Sequence, residues 1–84
     1  MIDEALKVFE MNMNEFPKSY NTYDSYAFIL MQKKDYASSI YYYKKGLKVL
    51  ELYPEDNGGQ QVQKDAQKAL QYIKEMEEKI NRQN

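Results

Sequence analysis

Side-chain catalysis needs a nucleophile, a proton carrier or a metal ligand, and this chain offers few of each. It has no Cys, so a thiolate nucleophile, a disulfide and a zinc–thiolate site are all excluded. It has no His, which removes the usual general base, the usual triad partner and the commonest transition-metal ligand. Carboxylates do occur in pairs, Asp3/Glu4 and Glu77/Glu78, but neighbours in sequence splay apart on a helix and make no acid–base pair. Lys33, Lys34, Lys44, Lys45 and Lys48 are a candidate basic patch. With a net charge of −1 they read instead as a solvated face and as compensation of helix dipoles. Tyr41-Tyr42-Tyr43 could stack on bases or sugars, yet helical spacing sends Tyr43 to a core and leaves Tyr41 and Tyr42 to a helix flank or an interface. The residue types therefore predict a non-enzyme without cofactor or metal, whose chemistry is recognition of protein, with no nucleic acid and no membrane among its partners.

The elements that position these residues are helices. Eighty-four residues allow one small domain with a marginal core, and only three Gly and two Pro interrupt them. Its longest apolar run, Ala27 to Met31, is far too short to cross a bilayer. The acidic start Met1-Ile2-Asp3-Glu4 has no signal-peptide character, and the compartment stays open. A first helix is expected from a cap at Asp3 to Phe16, with Ala5, Val8, Phe9, Asn12, Met13 and Phe16 on one face and Pro17 as its stop. Asn21 is expected to cap a second helix, about Thr22 to Gln32, with Asp24 three residues on. Asp35 should cap a third, about Tyr36 to Leu52, striped by Tyr36, Ile40, Tyr43, Leu47 and Leu50. Residues 53–59 read as a loop, in which Asn57 is the expected cap of a fourth helix from Gln60 to about Asn81. Along it Val62, Ala66, Ala69, Ile73, Met76 and Ile80 alternate spacings of four and three, Leu70 widens the stripe, Glu75 and Lys79 pair, and the last three residues fray. The fold class is all-α, four helices in antiparallel hairpins.

Tyr23, Tyr26, Ala27 and Leu30, followed by Ser39, Tyr43 and Gly46, combine large residues at helical spacing with small ones where two helices would cross. Gly46 inside a helix costs about 1 kcal/mol against Ala, so a packing reason is expected for it. Tyr23, Tyr26 and Tyr43 should fill the space between helices with their hydroxyls at the edge. Shifted by 34 residues, the first helix overlays the third: Ala5 on Ser39, Leu6 on Ile40, Phe9 on Tyr43, Asn12 on Gly46 and Met13 on Leu47. Pattern and period resemble the tetratricopeptide repeat. Here Tyr23 stands for the family's Trp and Tyr26 for its Leu, and Pro54 arrives three residues late. The resemblance implies an α-solenoid piece in one domain: helix B of a partial repeat over 1–17, a complete repeat over 20–53 and a capping helix over 60–82. Because a first helix B without its helix A leaves a face uncovered, the chain is expected to be cut from a longer one or to borrow a partner.

The run Ile2 to Glu10 with Asn12, Glu15-Phe16-Pro17 and Tyr23-Asp24-Ser25 carries a narrower likeness, over residues 2 to about 54: it resembles the repeat tails at the C-termini of some bacterial serine hydrolases, both α/β-hydrolase esterases and β-lactamase-like enzymes. That likeness implies a bacterial accessory segment whose nucleophile, base and oxyanion hole lie upstream. Two surfaces are candidates. One is an exposed first-helix face of Leu6, Phe9 and Met13, docking on a parent domain or on a second copy in a homodimer. The other is the concave side of the second helix, with Asn21, Asp24, Phe28, Met31 and Gln32, which is either a peptide groove or a seat for a neighbouring element. The fourth helix either caps the array or pairs with another helix.

Overall fold

The computed structural model describes residues 1–83. They form an all-α fold without a strand: α1 (Ile2–Glu15), α2 (Tyr20–Gln32), α3 (Tyr36–Leu52), a short 3₁₀ turn (Pro54–Asn57) and α4 (Gln60–Gln83). The helices make a slab of 40 × 26 × 17 Å, in which α2 packs between α1 and α3 and α4 lies across α3 and the near side of α2.

Helix ends explain the path. α1 starts at Ile2, so Asp3 is a first-turn acid beside Glu4 and not the expected cap; its charge favours the positive end of the dipole. It stops at Phe16, whose φ of −123° and ψ of 66° have left the helical region before Pro17. α2 starts at Tyr20, earlier than expected, with Ser19 as N-cap, and Asn21 caps nothing. At its other end Asp35 N–H reaches Leu30 O at 3.0 Å and Lys34 N–H reaches Met31 O at 2.9 Å, closing a Schellman motif. Lys34 takes its left-handed position, at φ 71°. Asp35 then accepts Ser38 N–H at 3.3 Å and caps α3, as expected.

The α2–α3 crossing is built from small residues. Ser39 is fully buried, and its Oγ donates to Ala27 O at 2.6 Å. Gly46 is buried against α2, where an added Cβ would stand 2.8 Å from Tyr23 Cβ. That is the packing reason expected for a glycine inside a helix. On the α1 side the core holds Met13, Tyr23 and Val49. On the α4 side it holds Ala27, Tyr43, Ala69, Ile73 and Met76, with Tyr20, Val62 and Ala66 at one end. Leu70 does not join them; it is exposed on the outer side of α4. α4 runs through Arg82 to Gln83, while Asn84 lies outside the described residues. Glu75 accepts from Gln71 Nε2 at 3.1 Å, and Lys79 lies over the Tyr36 ring instead of pairing with Glu75.

Candidate protein-interaction surfaces

The expected face of α1 divides in two. Met13 is buried inside the chain against Tyr23 and Val49, so it cannot belong to an exposed docking face. Leu6 and Phe9 are half-buried. The physical reason is that α2 covers this side: Tyr26 OH reaches Glu10 Oε2 at 3.4 Å and Lys33 Nζ reaches Asp3 Oδ1 at 3.3 Å. The uncovered side is a quarter-turn away. There Val8 is 56% and Phe16 53% exposed, next to Ile2 at 41%. Ile2, Ala5, Phe9, Asn12 and Phe16 follow spacings of three and four, which make one continuous stripe on a helix. Beyond Phe16 the stripe opens into a cleft of about 380 Å³ lined by Pro17, Lys18, Ser19 and Asp56. The helix carrying it is acidic, with Asp3, Glu4, Glu10 and Glu15 against Lys7.

The second candidate, the free side of α2, is partly filled by α4. Met31, half-buried, packs against the core cluster that holds Tyr43, Ile73 and Met76. Phe28 remains 37% exposed and tilts against Tyr72 at 6.3 Å. Asp24, Phe28, Asp65, Lys68 and Tyr72 line a cleft of about 350 Å³ between the two helices. Asp24 accepts from Tyr20 OH at 2.7 Å. Burial raises the Asp24 carboxyl above the ordinary range, Asp65 adds to this, and the Tyr20 hydrogen bond and Lys68 oppose it. Burial also pushes the Tyr20 and Tyr43 phenols up. The Tyr43 hydroxyl does not reach an edge: it is buried and finds no hydrogen-bond partner among the described residues. Tyr23 OH does reach one, donating to Pro17 O at 2.8 Å.

The remaining candidates disperse. Lys33 meets Asp3, Lys44 meets Glu77, Lys48 meets Glu51, and Lys45 lies over the Tyr41 ring. Tyr41 is exposed, and Tyr42 stands edge-on between Tyr41 and Tyr26.

Sequence reasoning missed Tyr20 and Asn57. Tyr20, read as connector, is fully buried. Asn57, read as a local cap, is buried and joins two connectors: Oδ1 accepts Tyr20 N–H at 2.7 Å, and Nδ2 donates to Lys18 O and Tyr53 O at 2.8 Å each. It thereby satisfies a first-turn N–H of α2 from 37 residues away. A cap supplied from that distance leaves no pattern in the local sequence. Protein-family models, curated proteins and solved structures were each compared with the chain, and none matches it.

Proposed function

We propose that this chain is a non-enzymatic, tetratricopeptide-like interaction module that docks on another protein element through the uncovered side of α1. The observation that carries this reading is the uncovered side of α1, where Ile2 and Phe16 on the stripe and Val8 beside it are large apolar side chains left in solvent on a helix that packs on α2. Its accessible surface supports it. The chain exposes 5928 Å², against about 5,300 Å² for a typical compact monomer of its mass. The outer side of α4 carries no comparable stripe, because Leu70 stands there among Gln63, Gln67, Lys74 and Glu77. That polarity suits a cap.

Glu4 and Glu15 beside the uncovered side of α1, with Asp56 at the cleft, select the partner: an amphipathic helix with basic flanks, either in a parent domain or in a separate protein. A second copy presenting its own α1 would set like charges against each other. The test titrates the full chain with a helical peptide carrying Leu at heptad spacing and Lys flanks, and with the same peptide flanked by Glu. Only the Lys peptide should bind. Val8→Asp with Phe16→Asp, both at exposed positions, should weaken binding by roughly a hundredfold, since each removed contact is worth about 1.5 kcal/mol. Equal binding of both peptides, or none, would refute the reading, and a stable dimer of the unmixed chain would assign the stripe to self-pairing.

A further inference from the structure

Asn57 is followed by Gly58, and no other Asn in the chain precedes a glycine. The pair is chemically special. The backbone nitrogen of Gly58 can attack Cγ of Asn57, because no side chain on residue 58 hinders the approach. Water or hydroxide takes the Gly58 N–H proton, a bond forms from that nitrogen to Cγ, the Cγ–Nδ2 bond breaks, and Nδ2 picks up one proton from solvent and leaves as ammonia. The resulting five-membered succinimide is opened by water at either carbonyl, giving aspartate or isoaspartate at position 57.

The fold opposes each step. The carboxamide is held by three hydrogen bonds of 2.7–2.8 Å, and Asn57 is only 5% exposed. Its backbone belongs to the 3₁₀ turn, so swinging Cγ toward the next nitrogen means unwinding that turn and releasing all three partners. Yet Gly58 itself is exposed, and a Cβ there would meet nothing within 4 Å.

We infer that Asn57–Gly58 is a latent deamidation site which the native fold keeps closed, and whose reaction makes an opening of the connector irreversible. In the aspartate product one oxygen can still accept Tyr20 N–H. The other, which replaces a donating Nδ2, faces the carbonyl oxygens of Lys18 and Tyr53 without a proton to offer. The isoaspartate product adds a main-chain methylene within the turn. Either way the bond that residue 57 donates to Lys18 O is lost, so the tie between the α1–α2 and α3–α4 connectors is weakened, and a chain that has opened and reacted does not close again as before.

The test incubates the full chain at mildly alkaline pH, folded and in denaturant, and follows residue 57 by peptide mass spectrometry. The folded sample should react at least about tenfold more slowly, the factor for an opening that costs about 1.4 kcal/mol. Gly58→Ala should slow the denatured reaction without lowering the urea midpoint, since Gly58 sits at φ −73°, ψ 166°, which any residue adopts, and alanine restricts the unfolded chain. Asn57→Asp, which imitates one product, should lower the midpoint at neutral pH and recover part of it on acidification, when the protonated carboxyl regains a donor. Equal rates in folded and denatured protein, or an Asn57→Asp chain as stable as the parent at neutral pH, would overturn the proposal.

Discussion

At the scale of single residues, Gly46 shows two opposing effects whose magnitudes decide the outcome. Alanine there would gain about 1 kcal/mol of helix propensity. Its Cβ would also sit 2.8 Å from Tyr23 Cβ, an atom bound to the α2 backbone that cannot swing aside. Overpacking of this kind costs about 1–3 kcal/mol, so Gly46→Ala should be net destabilising by about 1 kcal/mol and lower Tm by several degrees in a thermal melt. Asp24 offers a second test, through pH. Its folded carboxyl is raised, chiefly by burial, so the folded state favours the protonated form. The native fold is therefore relatively favoured below the ordinary Asp value of about 3.9, and loses that advantage as pH rises through the raised value. Asp24→Asn keeps an acceptor for Tyr20 OH and removes the buried charge. It should be more stable than the parent at neutral pH, with the gap closing in acid; denaturation midpoints across pH measure this.

At the scale of elements, the helix boundaries separate local from distant causes. The α2–α3 turn is made from its own sequence: Asp35 caps α3, and the Schellman bonds close α2 around Lys34. A lysine at φ 71° bears a cost that glycine lacks, so Lys34→Gly should stabilise the fold by about 0.5–1 kcal/mol, read as a higher urea midpoint at unchanged slope. The start of α2 is different. Its first turn relies on Asn57, and neither Asn21 nor the Ser19 side chain supplies the bond. The expected cap at Asn21 came from a pattern valid for isolated helices, which a buried amide from the next connector replaced.

At the scale of the whole molecule, the open side of α1 and the shut Asn57 clamp set the two larger expectations: charge-selective docking of a basic-flanked helix, and a deamidation rate governed by opening. Four helices, the α2–α3 crossing at Ala27, Ser39 and Gly46, and the absence of His and Cys were all legible before any coordinates, because periodicity, small-residue spacing and composition act locally. Which side of α1 remained in solvent was not. Leu6, Phe9, Met13, Val8 and Phe16 are alike in hydropathy and share one broad stripe, and only the angle at which α2 approaches buries Met13 and leaves Val8 and Phe16 exposed. The same holds for Phe28 and Met31, since Met31 packs against the core beneath α4 while Phe28 leans on Tyr72 at the rim of the cleft, and for Asn57, whose partners lie in two connectors. Periodicity and composition set the helices and the surface that each could bury. Tertiary structure alone decided which of those surfaces found a neighbour, because burial depends on contacts between segments distant in the chain.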